Sequence, residues 1–381
     1  MSDLLRIRSV ATPEMIEIFS DRATIAHALA FEAALAKAQA KEGLVSKSVA
    51  DAIAKACSAI AIEPGDLAEE AAFAGTLAIP LVKRLRAELD SNLASMLHKG
   101  ATSQDVADTV LMVQIVHAAK LLAADASRIC AALYALADRY AATPAVGRTL
   151  LQDALPVSFG LRLAQAAAGI DNAARRLQAE VSANAKIQLG GAAGTREGLG
   201  GKGAAVAKRM ADALGLGTGV PWHARRVGIA AIASSIGILI GALGKLARDI
   251  SLLSQNAVGE AHEPALPGRG GSSAMAHKRN PTGCQVALSA AIRAPGLVGS
   301  ILSGMPQEEE RGLGGWQAEG PALADLFLLA AGSSSAMAVI AEGLEIDEEA
   351  IARNLQAAGL GSNIGESAEI IAAILAHHQQ D

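Results

Sequence analysis

Gly270-Gly-Ser-Ser-Ala-Met-Ala-His-Lys-Arg-Asn-Pro281 sets two glycines, two hydroxyls, an imidazole, two cations and an amide within one short run. Upstream, Pro264 and Pro267 keep the approaching backbone out of a helix, and Pro281 is suited to begin one. Only Ala274, Met275 and Ala276 are apolar, so an exposed loop is expected. Loops of this kind, held on a rigid scaffold, often carry chemistry. A plain glycine-rich connector would have a similar composition. The order of the residues separates the two readings.

The 381 residues around it are 51% hydrophobic but only 2% aromatic, with Ala and Leu dominant. Small side chains suit long helices packed closely side by side, and β-branched or aromatic runs of strand type are scarce. A net charge of −5 and no basic stripe argue against a nucleic-acid binder. Cys57, Cys130 and Cys284 are scattered without metal or redox spacing, as expected of reduced packing residues in the cytoplasm. The opening Met-Ser-Asp-Leu-Leu-Arg-Ile-Arg lacks the apolar core of a signal peptide. Residues 227–244 are uncharged and reach the lower limit of a membrane span. Their Gly, Ala and Ser content, the polar continuation through Lys245, Arg248 and Asp249, and the lack of a second span favour a soluble helix buried on several sides.

Helical patterns are expected over 13–42, 46–60, 66–90, 105–142, 157–186, 204–215, 222–259, 283–304 and 321–342. Chemistry-bearing residues gather between them. Leu97-His-Lys-Gly-Ala-Thr-Ser-Gln-Asp105 places a histidine and two hydroxyls just ahead of a long helix. Ser103 or Asp105 can cap that helix, and the free amides at its start favour a carboxylate ligand. Gly147-Arg-Thr-Leu-Leu-Gln152 follows the break at Thr143-Pro144. The glycine-rich residues 190–203 lack a preceding strand, and Gly rather than Ser or Thr follows their Gly-Lys, so a nucleotide loop is not expected. Gln307-Glu-Glu-Glu-Arg-Gly-Leu-Gly-Gly-Trp-Gln-Ala-Glu319 reads on composition as an exposed charged run.

Taken in order, these blocks resemble the fumarase/aspartase superfamily. The first quoted loop resembles its Gly-Ser-Ser-x-Met-x-x-Lys-x-Asn-Pro signature. Residues 97–105 resemble the His-x-Gly-x-Thr-Ser-x-Asp block of its adenylosuccinate-lyase-like members. Residues 147–152 resemble Gly-Arg-Thr-His-x-Gln, with Leu150 in the histidine's place. Three further stretches are similar to the lactonising branch, which acts on 3-carboxy-cis,cis-muconate: Thr12 through Ala36, the Gly190-Gly-Ala-Ala-Gly-Thr195 loop, and the Glu-Arg-x-x-x-x-Trp-Gln-x-Glu pattern ending at Glu319.

The resemblance implies an all-α fold: amino-terminal helices over 1–104, a bundle of five long helices over 105–342, and a short, truncated carboxy-terminal segment over 343–381. It further implies a homotetramer with active sites shared between chains, a small polycarboxylate substrate, and neither metal nor cofactor, with no membrane or nucleic-acid partner. Ser272, Lys278 and Arg311 are the expected catalytic residues. His98, Thr102, Ser103, Arg148, Thr149, Gln152, Thr195, Ser273 and Asn280 are expected to bind substrate, although Gln152 fits equally as a packing polar group. Either Ser272 or Lys278 can be the proton donor. His277 is expected as a surface loop residue, and His27, His117, His223 and His262 as structural ones.

Leu150 bears on the reaction. A lyase releasing an amine or hydroxyl uses a histidine to help the leaving group, whereas lactonisation uses a carboxylate nucleophile already ionised at neutral pH. A cycloisomerase acting in aromatic-acid breakdown is therefore the expected function. A sulfonated muconate as substrate, an adenylosuccinate-type lyase and a non-catalytic helical scaffold stand as alternatives.

Overall fold

The computed structural model describes residues 4–271, 275 and 278–380. Helices open the chain, and hydroxyls of Thr12, Ser20 and Ser46 cap the starts of three of them. α1 (Leu4–Arg8) leads to α2 (Pro13–Ile18), where the Thr12 hydroxyl accepts from Met15 N–H and Pro13 occupies the first turn. The single helix expected over 13–42 is interrupted. Ser20 is extended, and its hydroxyl caps α3 (Asp21–Lys41) through Ala23 N–H at 3.1 Å. α4 (Lys47–Ala59), α5 (Pro64–Ala74), α6 (Ala78–Ala87) and α7 (Ser91–Ala94) follow. The run expected over 66–90 is divided too, because Gly75 closes α5 in the left-handed region at φ 70°.

The body consists of α8 (Ser103–Arg139), a hairpin of β1 (Pro144–Thr149) and β2 (Gln152–Ser158), α9 (Phe159–Asn184), the shorter α10 (Gly203–Leu214), α11 (Val227–Leu253), α12 (Thr282–Ser303) and α13 (Gly315–Glu342). β3 (Ala261–His262), which follows α11, pairs antiparallel with β4 (Glu345–Ile346), and α14 (Glu348–Ala357) and α15 (Ser367–Gln380) end the chain. The fold is all-α, with five long helices as expected. α11 lies in the middle of the bundle, against α9, α12 and α13, while α8 closes the ring against α9 and α13. Ile229, Ile232, Ile236, Leu239, Leu243, Leu246 and Ile250 form its buried stripe. Close approach needs small residues: a Cβ on Gly244 would stand 2.7 Å from that of Ala291 on α12. A second apolar cluster joins α3, α4, α6 and α10 with the first turns of α8 and with Ile187 and Leu189.

The expectation of one span-length apolar helix is corrected. By length and composition α8, α12 and α13 reach the same threshold as α11. α8, α11 and α13 bury most of their apolar windows inside the bundle; α12 buries only 22% of its own and leaves Ile292 and Leu302 exposed.

The hairpin was absent from the sequence reading. Its two-residue loop is Leu150-Leu151, with φ of 52° and 63°. Loops of this type ordinarily carry Asn-Gly, which adopt positive φ readily; leucine gives no such signal. Gly147 marks an irregularity in the register, and a Cβ there would meet Leu155 O at 2.5 Å.

Candidate active site

The start of α8 is organised by Asp105. This buried carboxylate accepts from Thr102 N–H at 3.0 Å, from Gly190 and Gly191 N–H at 2.9 Å each, and from His223 Nε2 at 2.7 Å. Four donors satisfy a charge that would otherwise be costly to bury. They also lock residues 98–105 against the 190–201 loop, where Gly191 passes close to the Gly100 carbonyl. His223 thus has a structural position, as expected. Asp105, read from sequence as a helix cap, proves to be the hub of this corner.

Arg311 reaches the same corner from the segment between α12 and α13. Its Nη1 donates to Thr102 Oγ1 at 3.0 Å, and its Nη2 to the carbonyls of Gly191 at 3.0 Å and Ala192 at 2.8 Å. Its Nε is buried without a partner, and no carboxylate pairs with it among the described residues. The cation is therefore held rigidly by neutral oxygens. Thr195 stands exposed on the neighbouring loop. Ser103 instead lines a cavity of about 400 Å³ shared with Asp108, Trp316 and Gln317.

His98 sits four residues before Thr102 with φ 62°, a left-handed conformation that costs a non-glycine residue about 1–2 kcal/mol. Its Nδ1 lies 2.6 Å from Oε1 of Glu32, a fully buried residue of α3. Burial opposes charge on His98. The hydrogen bond and charge of Glu32, with the charge of Asp105, outweigh that and raise its pKa above the ordinary histidine value.

The hairpin carries the second block. Arg148 is committed to Glu260, with Nη2–Oε1 at 2.6 Å and Nη1–Oε2 at 3.1 Å. Thr149, Leu150, Leu151 and Gln152 are exposed around the turn, Leu150 almost completely. A cavity of about 990 Å³ opens between this hairpin and Lys245, Asp249 and Gln255.

The signature loop is closed at its neck by Asn280, whose backbone and side-chain amides both donate to Gly270 O, at 2.8 and 3.0 Å. Glu263 receives the amides of Gly283 at 3.1 Å and Cys284 at 2.7 Å at the start of α12. A carboxylate there satisfies orphan amides and suits the helix dipole. Lys278 is exposed at a cavity of about 180 Å³. Ser272, Ser273 and His277 lie outside the described residues.

In one chain these blocks stay apart. Among the described residues, the cavities beside the hairpin, at Ser103 and at Lys278 each draw on one of the 97–105, 147–152 and 270–281 blocks and do not combine them. Arg311 joins the first of them through Thr102, and the 190–201 loop joins it through Asp105. Glu32, Glu260 and Glu263 were missed because isolated acids on helices or in loops carry no spacing signal. Glu319, the last residue of its motif, lies on a buried Arg226 rather than on the Arg311 corner.

Residues 7–296 match the sequence profile of a family described as lyase. The chain is 44% identical over 347 residues to the 3-carboxy-cis,cis-muconate cycloisomerase of Pseudomonas putida, covering 90% of this chain and 82% of that one. It is 45% identical to the protein of the same name from Bradyrhizobium diazoefficiens, covering 88% and 76%. The fold superposes on the crystal structure of the 3-carboxy-cis,cis-muconate lactonizing enzyme from Pseudomonas putida with a TM-score of 0.87 and 39% identity, over 97% of this chain and 86% of that one.

Proposed function

The chain belongs to the lyase family of the fumarase/aspartase superfamily, and on that premise we propose that it is a 3-carboxy-cis,cis-muconate cycloisomerase. In this reaction one substrate carboxylate oxygen bonds to an alkene carbon. The displaced π pair moves to the adjacent carboxylated carbon as an enolate, and a proton delivered to that carbon completes the lactone. Atoms and electrons balance without an oxidant.

One observation carries the substrate class: Arg311 is a clamped cation without a carboxylate partner among the described residues, beside the amide-rich start of α8. A fixed positive charge of this kind suits a polycarboxylate and the negative charge that develops during addition. Lys278 adds a second cation, and Lys278 or Ser272 delivers the proton. His98, Thr102, Ser103, Thr149, Gln152, Thr195, Ser273 and Asn280 bind the carboxylates. Arg148, spent on Glu260, contributes by fixing the hairpin. Leu150 supplies no base, and a carboxylate nucleophile needs none.

The exposed hairpin tip, the separation of the three blocks and the uncovered apolar face of α12 support a homotetramer in which each site draws on several chains. The enzyme would work in the cytoplasm, in the β-ketoadipate route of aromatic (protocatechuate) breakdown. The test is the ultraviolet absorbance of 3-carboxy-cis,cis-muconate after addition of protein. Rapid loss of the diene with wild type, but not with Lys278→Ala, is expected. An unchanged spectrum with wild type overturns the reading, and the sulfonated analogue and adenylosuccinate are then the substrates to assay.

A further inference from the structure

We propose that Glu32, which lies outside all the signature blocks, is a positioning residue: it holds His98 by Nδ1 and leaves Nε2 to donate to a substrate carboxylate. The substrate rests on the cycloisomerase reading; the pairing does not.

Glu32 is on α3, with its side chain fully buried and Oε1 2.6 Å from His98 Nδ1. Its Oε2 is buried without a partner, so His98 is its one hydrogen-bonded neighbour among the described residues. A carboxylate only accepts, so the proton between the two sits on Nδ1 in either charge state of the ring. His98 Nε2 has no partner among the described residues, and the side chain is 16% exposed. A staple that merely tied α3 to the loop would not require its histidine in a left-handed conformation, yet His98 has φ 62°. Outliers of that kind concentrate at functional sites. The strained residue lies four positions before Thr102, which accepts from Arg311, a cation with no carboxylate partner among the described residues.

The other charges facing His98 come from Asp105 on α8, which favours the imidazolium, and Arg86 on α6, which opposes it. From α4, the Cys57 thiol is pushed up to about 12 by burial and by Glu32, so it stays neutral and adds no competing charge. The Glu32 pair thus keeps His98 protonated to higher pH than an isolated histidine. Its donor strength at a substrate carboxylate is lost as pH rises through that raised value.

Glu32→Gln tests the pair, since it keeps the shape and an acceptor oxygen but removes the charge. The imidazole resonance of His98, assigned by its loss in His98→Asn, needs no substrate. Its titration midpoint is expected to fall by about 1–3 pH units in Glu32→Gln, the range a charge at this distance supplies. Above the midpoint kcat/KM is expected to drop about tenfold for each unit lost, with little change at low pH. Glu32→Gln placed on His98→Asn should add no further loss. Tricarballylate, an unreactive tricarboxylate, should bind correspondingly more weakly to Glu32→Gln at high pH. That binding result in a wild type that leaves the diene intact would support the pair while refuting the cycloisomerase reading. An unmoved His98 midpoint, or an equal activity loss at every pH, overturns the pair even if turnover is normal.

Discussion

Arg148 and Glu260 join the β1–β2 hairpin to the chain segment beyond α11 through two hydrogen bonds, at 2.6 and 3.1 Å. Glu260 is fully buried; it also accepts from Asn354 of α14 at 2.9 Å and lies 3.5 Å from Arg162 of α9. The hairpin, the long helix α9 and the short helix α14 thus share one carboxylate. Removing it leaves Arg162, which is mostly buried, without its counter-ion. Glu260→Ala is therefore expected to destabilise the protein by about 3 kcal/mol. Arg148→Ala, whose guanidinium is a quarter exposed and which leaves Glu260 with Arg162 and Asn354, should cost about 1 kcal/mol. Urea denaturation of the two variants measures the difference.

Arg311 gives a prediction about catalysis rather than stability. Its two Nη atoms serve three neutral oxygens, and a lysine cannot reproduce that fork. Arg311→Lys is expected to remain folded while kcat/KM falls by about 10²–10³, the loss typical of removing one aimed donor. An unchanged kcat/KM on 3-carboxymuconate would show that this cation does not meet the reacting molecule.

How far the sequence could be read follows from where its signals are local. The five long helices were legible because apolar periodicity over twenty or more residues survives any tertiary arrangement. Ser20 and Gly75 divided two expected helices because a single cap or left-handed glycine outweighs periodicity over a few turns. The Thr102 block and Arg311 were recognisable as motifs, but their contact spans 209 residues and left no trace in spacing. Asp105 read as a cap; that it also gathers Gly190, Gly191 and His223 depends on the fold alone.

The Leu150-Leu151 turn sets stability against function. Each leucine has positive φ, at about 1 kcal/mol of strain per residue, and both are exposed in a single chain. Leu150→Asn combined with Leu151→Gly matches the turn's backbone and should raise stability by about 1 kcal/mol. If the tip completes a neighbouring chain's site, kcat/KM should fall by at least about tenfold despite the gain. Parallel thermal melts and rate measurements decide it: a stabilised variant with full activity removes the tip from the site.

The buried Arg226 predicts an asymmetry between two substitutions. Its guanidinium meets Asp108 at 2.8 and 2.9 Å and also hydrogen-bonds Glu319, so two carboxylates surround one cation away from solvent. The cluster holds one negative charge in excess. Burial pushes the Glu319 carboxyl above the ordinary range, although Arg226 pulls it down. An acid raised in the folded state binds its proton more tightly there than in the unfolded chain. Its contribution to stability is therefore largest at low pH and declines as pH rises from the ordinary glutamate value through the raised one. Glu319→Gln keeps the shape and an acceptor and removes the excess charge. It is expected to change stability by less than about 1 kcal/mol at neutral pH and to flatten that decline. Arg226→Leu does the opposite, stranding two carboxylates, and should cost more than about 3 kcal/mol, with partial recovery on acidification. Urea midpoints at pH 5 and pH 8 distinguish the two. Equal losses in both variants would mean that the cluster acts by shape and hydrogen bonding, not by its charge balance.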